Sequence, residues 1–455
     1  LLGATAPAVL FTMWACNSHP LIKPDAAPVG ELAQLREINP IRNVDIIFVV
    51  DNSGSMQEEQ GNLTRNFGAF MRELNIPGAN LHIAAISTEL GAGAGTMISS
   101  SAQGCGVAGG DKGVFCMGHQ VDTCAKCGVD VSRGRFLRTV NPNFAAGQLE
   151  SIFTCMATFG TNGCGWEHSI GALRASLTAP ENKDFLRDDA YLAFVIITDE
   201  DDCTAPSDSQ MFMSAIPGQQ DSLRCSVEGH ICNGAHHTGT TMDVALDACA
   251  PATDGALVGI EQLVNDVKAV KKDPSLIIAA GIFGWPQPGQ QAAARYRIGG
   301  GQSRTLSAVC NSNNGSATPA LRVKKFVESF PNNNTFSICQ NDFSEAMRRI
   351  GEKIRITLGA PCVDARLVDV NETTAEMDPD CSVTEEKPRS GGGFDLAQIG
   401  RCDAAGTPAS GPCWRLVGDM ACTTSRYKVE VDRRGSPDLP EGSRQTIRCL
   451  TYPQP

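Results

Sequence analysis

Residues 44–50 (VDIIFVV) form an apolar, largely β-branched run of strand length, broken only by Asp45. A strand without polar alternation has apolar neighbours on both faces, as a parallel strand covered by helices does. The run stops at Asp51-Asn52-Ser53-Gly54-Ser55. Residues 56–74 then place Leu63, Phe67, Phe70, Met71 and Leu74 at helical spacing on one face. The same order returns downstream, with strands at 81–87, 191–198 (YLAFVIIT), 276–283 and 335–339. Helices are expected at 144–158, 169–177, 257–270, 320–330 and 343–358. Repeated β-then-α order predicts an α/β chain built on a doubly wound, mainly parallel sheet over residues 44–359.

Two long stretches interrupt that order. Residues 91–134 carry Cys105, Cys116, Cys124 and Cys127, and residues 207–250 carry Cys225, Cys232 and Cys249. Insertions of this length need internal staples, and Cys155, Cys164, Cys203, Cys310 and Cys339 are further disulfide candidates. Beyond residue 359 the texture changes to Pro, Gly and turn residues around short strands at 426–431 and 444–450. Cys362, Cys381, Cys402, Cys413, Cys422 and Cys449 fall there, so residues 360–455 are expected to form a small disulfide-rich β module with Trp414 in its core. Nineteen cysteines in one chain suit an oxidising compartment and would be a liability in a reducing cytosol. The pair Cys124-Ala-Lys-Cys127 is accordingly read as part of a disulfide set, and Cys232 with His236 and His237 as a bridge beside surface histidines.

The odd cysteine is Cys16. It follows an apolar run, residues 1–15 (LLGATAPAVLFTMWA), that has the length of a signal-peptide core and is too short to span a bilayer. The stretch MWAC resembles a bacterial lipobox, in which such a cysteine is diacylated; eighteen would then remain to pair. Asn17 favours an outer-membrane or cell-surface destination, with residues 16–43 as a lipidated tether and lead-in. A net charge of -12 repels polyanions and excludes nucleic acid as a partner. No G-x-S-x-G, H-E-x-x-H or Walker motif is present, so no enzyme is expected.

Asp51–Ser55 lies at the carboxyl end of the first expected strand, where open α/β sheets bind ligands. Capping of the following helix accounts for Ser and Asp in that turn, but not for a second acidic loop at Asp199, directly after YLAFVIIT. Together the two loops resemble the metal-ion-dependent adhesion site of the von Willebrand factor A (integrin I-like) family, over about residues 45–358 less the insertions. That resemblance implies a divalent cation, Mg²⁺ foremost with Ca²⁺ or Mn²⁺ as alternatives, held by Asp51, Ser53, Ser55 and Asp199. Thr161 or Glu167 would complete the shell. Hard oxygen ligands bearing little charge leave such an ion able to take a carboxylate from a partner. Glu200, Asp201 and Asp202 are read as an acidic surface loop. The implied function is a lipid-anchored adhesin, similar to outer-membrane adhesins of gliding bacteria, that grips an extracellular protein, polysaccharide or substratum through an acidic group. The alternative is a structural subunit of an envelope or appendage complex that binds a protein partner at the same site.

Overall fold

Asn43–Val50 is a strand in the computed structural model, which describes residues 30–37, 43–74, 79–90, 110–118, 121–163, 165–206, 209, 211, 221–236, 241–287, 289–290, 293–298, 304–313, 315–358, 363, 365–371, 373, 377–389, 391–403, 411–418, 422, 424–433, 436, 439–440 and 443–452. Its principal elements in chain order are β1 (Gly30–Glu37), β2 (Asn43–Val50), α1 (Gln57–Glu73), β3 (Asn80–Ser87), β4 (Leu137–Arg138), α2 (Leu149–Ala157), α3 (Ser169–Ser176) and β5 (Tyr191–Thr198). There follow α4 (Ile260–Lys268), β6 (Ile277–Phe283), α5 (Leu321–Glu328), β7 (Asn332–Ser337), α6 (Ser344–Leu358), β8 (Cys381–Pro388), β9 (Phe394–Arg401), β10 (Cys413–Gly418), β11 (Tyr427–Asp432) and β12 (Arg444–Thr451). The chain divides into two units, Ile41–Gly359 and the remainder. Residues 1–15, expected from the sequence to be a signal peptide, lie outside the described residues, as do Cys16, Cys105, Cys164, Cys362 and His237.

In the larger unit β7, β6, β5, β2, β3 and β4 lie side by side in that order. The four pairings among the first five strands are parallel, and β4 is antiparallel to β3. Strands β5 and β6 are buried along their whole length. Phe48 on β2 packs edge-on to Phe67 and Phe70 of α1 and to Phe153 of α2. Phe194 on β5 meets Phe326 of α5 and the following Phe330.

Outside that sheet the pairing changes character. Of the strand pairings among the described residues, eleven are antiparallel and five parallel, distributed over six sheets. This corrects the doubly wound, mainly parallel class expected from the sequence: the chain is a mixed, disulfide-stapled β-sheet architecture with short helices. The physical reason is connection length. Antiparallel strands of two or three residues close through tight turns, and such strands carry too few side chains to show an apolar run.

Staples hold these short pieces. Cys116–Cys124 and Cys127–Cys155 split the C-x-x-C pair between two bridges. Cys203–Cys225 and Cys232–Cys249 secure a small sheet of His230–Cys232, Ala235–His236 and Cys249–Pro251. Cys310–Cys339 ties the hairpin Cys310–Ser312 and Gly315–Ala317 to the segment after β7.

The smaller unit is a sheet ordered β1, β12, β8, β9, β10, β11. β1 pairs antiparallel with β12 from Gly30 to Glu37, so residues read from the sequence as lead-in supply an edge strand. Val363, Val383, Trp414, Val429 and Ile447 form a core of their own. Cys381–Cys449 and Cys402–Cys413 brace it, and Cys422 is also disulfide-bonded. Among the described residues no helix is long and apolar enough to cross a membrane.

Candidate functional site

Where β2 ends, the backbone N–H of Asp51 donates to Ile197 O at 3.0 Å, which pins the turn to β5. One carboxylate oxygen of Asp51 accepts from Ser53 N at 2.8 Å and the other from the Thr198 hydroxyl at 2.7 Å. The Ser53 and Ser55 hydroxyls are 3.2 Å apart and share a hydrogen bond. A second loop joins through Gln60 of α1, whose amide donates to Asp51 O at 2.7 Å and Gly160 O at 2.9 Å and accepts from Gly160 N at 3.2 Å. Gly163 N donates to Asn52 O at 2.9 Å. A Cβ at Gly163 would stand 2.4 Å from Cγ of Asn52, so only glycine allows that approach.

The turns therefore gather Asp51, Ser53, Ser55, Glu167 and Asp199 at one end of the sheet. Asp51, Ser53, Glu167 and Asp199 are buried, while Gly54 and Ser55 form an exposed rim. Thr161 is half-buried in the neighbouring turn. Sequence reasoning missed Asn52, Glu59, Gln60 and Thr198. Glu59 and Gln60 left a signal, because they are polar residues on the face of α1 that carries Leu63, Phe67 and Phe70.

Burial is the first cause of an upward pKa shift at every acid here. It raises Asp51 despite hydrogen bonds from Ser53 and Thr198. Asp199 stands well above the usual carboxylate range through burial and then the charges of Asp51 and Glu200, against a hydrogen bond from Ser55. Glu167 is raised well above its ordinary value by burial, then by the charges of Glu200 and Asp51. Glu59 is pushed up to about 7 by burial, with Glu58 and Asp51 adding to it. Oδ1 of Asp199, Oε2 of Glu59 and both amide atoms of Asn52 are buried without a donor or acceptor of the protein. The side chain hydrogen-bonding to Glu167 is itself an acid, Glu200. Each buried polar group left unmatched costs about 1–3 kcal/mol. A group bringing positive charge and several N–H donors would offset that cost.

The divalent-cation expectation for Asp51, Ser53, Ser55, Asp199 and Thr161 or Glu167 is corrected. Among the described residues no group of three or more His, Cys, Asp or Glu side chains is arranged to hold a metal ion. Several of the oxygens counted on as ligands are already engaged: both carboxylate oxygens of Asp51 accept from Ser53 N and the Thr198 hydroxyl, and the Ser53 and Ser55 hydroxyls bond to each other. The cation-dependent adhesin reading falls with Mg²⁺, Ca²⁺ and Mn²⁺.

The acidic run after Asp199 is not a surface loop either, since Asp201 and Asp202 are buried. Asp201 accepts from Arg322 N at 3.0 Å and Val323 N at 3.1 Å in the first turn of α5 and from Asp202 N at 2.9 Å, and it meets His230 Nε2 at 2.7 Å. Asp202 accepts from Ile170 N at 2.9 Å in the first turn of α3 and pairs with buried Arg322 at 3.0 Å. Both carboxylates thus fix the loop that presents Asp199.

No family model matches the chain, and no curated protein matches it. Among solved structures it is similar to the pilus adhesin SpaC of Lactobacillus rhamnosus GG in its open conformation, at 10% identity and a TM-score of 0.30. The match covers 92% of this chain and 40% of that one, so the chain spans less than half the length of the adhesin. A likeness this weak defines neither fold nor function. The resemblance to the von Willebrand factor A family, and through it to adhesins of gliding bacteria, is corrected on these findings: no family model carries it, and the donor set it implied is not assembled as a metal site.

Proposed function

We propose that this chain is an exported, disulfide-stapled binding module that serves as a structural subunit of a cell-surface assembly. Its Asp51, Glu167 and Asp199 site holds a protein partner through an inserted lysine or arginine. Glu167 carries this reading: a buried carboxyl that hydrogen-bonds to another acid, Glu200, and lies beside Asp51 and Asp199 is complementary to a basic side chain. Seven disulfides among the described residues support folding in an oxidising compartment. A lipid on Cys16 would hold the molecule at the membrane. No turnover is part of this role.

Titration calorimetry with pentalysine and penta-arginine peptides near neutral pH, with and without EDTA, tests the site. Binding is expected in both conditions. Glu167→Gln and Asp199→Asn are each expected to weaken it about thirtyfold or more, from the 2–5 kcal/mol lost when one partner of a buried charge pair is removed. Equal binding by the variants, or binding that requires a divalent cation, would overturn the reading.

A further inference from the structure

Farther along α1, away from the acidic site, the helix borders a groove of about 710 Å³ whose other wall is the start of α2. Arg65, Gly68 and Arg72 line it from α1, with Glu150 and Ser151 from α2. Residues 65, 68 and 72 share one helical face, and seven residues of helix separate the two arginines by about 10 Å. A Cβ at Gly68 would stand 3.1 Å from Oε2 of Glu150, so that carboxylate lies over bare helix backbone between the arginines. Arg65, Arg72 and Glu150 are all exposed. Among the described residues none of the three forms an ion pair, although the arginines of α6 pair with Glu345, Glu352 and Glu73.

We propose that this groove binds a short segment of acidic polysaccharide of the uronic-acid class. A planar guanidinium fork matches a carboxylate in two parallel hydrogen bonds, and two forks about 10 Å apart suit an anion that repeats along a chain. Glu150 asks for the opposite chemistry, an O–H donor, and Thr64 and Ser151 add hydroxyls at the edges. A uronate ring carries a carboxylate and neighbouring hydroxyls on one rigid unit. A run of Asp or Glu in a peptide presents carboxylates alone at its side-chain tips, and these repel Glu150. A neutral glycan leaves both arginines unmatched and finds no aromatic ring among the lining residues on which to stack. The overall charge of -12 discourages non-specific association with polyanions, so binding would report this local arrangement.

Trigalacturonate is the probe, with triglutamate as comparison, titrated into the full chain at physiological salt. Trigalacturonate is expected to bind more tightly than triglutamate. The double variant Arg65→Ala/Arg72→Ala should lose at least tenfold with an unchanged circular dichroism spectrum and thermal midpoint, as exposed positions allow. Arg65→Lys/Arg72→Lys, which keeps both charges but removes the forks, should fall between that variant and the parent. Glu150→Gln should narrow the preference by improving triglutamate. Equal affinity for the two probes in the parent, or an undiminished affinity in the alanine variant, would overturn the proposal.

Discussion

Glu59 sits on the buried face of α1, 2% exposed, in a position that an amphipathic helix normally gives to an apolar side chain. Its pKa of about 7 lies above the ordinary 4.5, so between those values the folded chain holds a proton that the unfolded chain has released. Stability must then fall as pH rises from 4.5 to about 7 and level off above. Glu59→Gln removes that dependence. Urea titrations at a series of pH values should show the variant gaining on the parent across this window. A stability difference that stays constant with pH would contradict the assignment.

At the scale of elements, the loop between β5 and the Cys203 staple is held less by its own sequence than by two helices. Asp201 caps α5, Asp202 meets the first turn of α3, and Arg322 reaches back from α5 to Asp202 and to the backbone oxygens of Asp202 and Val258. Removing the arginine leaves a buried carboxylate uncompensated. Arg322→Met is therefore expected to destabilise the larger unit by about 3–5 kcal/mol, the range for breaking a buried pair. Chemical denaturation followed by Trp166 fluorescence checks this. A loss under about 1 kcal/mol would show that Asp202 is adequately served by its remaining donors, Ile170 N, Thr204 N and the Thr204 hydroxyl.

Over the whole molecule, each of the two units has core clusters of its own and its own staples. Cys381 and Cys449 face each other across β8 and β12 and are 68 residues apart in sequence. In the chain-entropy treatment, closing a loop of that size contributes about 4 kcal/mol. Cys381→Ser/Cys449→Ser should thus lower protection of β1, β8 and β12 in hydrogen exchange while leaving β2, β5 and β6 as protected as in the parent. Equal loss in both units would mean that they unfold as one.

How much of this was legible follows from what each residue needs in order to reveal its place. The long apolar elements were readable directly, since a run such as YLAFVIIT calls for burial on both faces, and nineteen cysteines pointed to a disulfide-stapled chain. The sequence also marked Asp51 and Asp199 as residues at strand ends. It did not disclose β1, whose partner lies at the far end of the chain, nor the strands of two or three residues, whose stability comes from cysteines elsewhere. Packing alone makes Asp201 and Asp202 interior caps, sets Glu167 among the acids of the cluster, and joins the Ser53 and Ser55 hydroxyls. Each of those outcomes depends on which donors arrive from distant segments. A local pattern fixes what a side chain can offer, and packing fixes what is there to receive it.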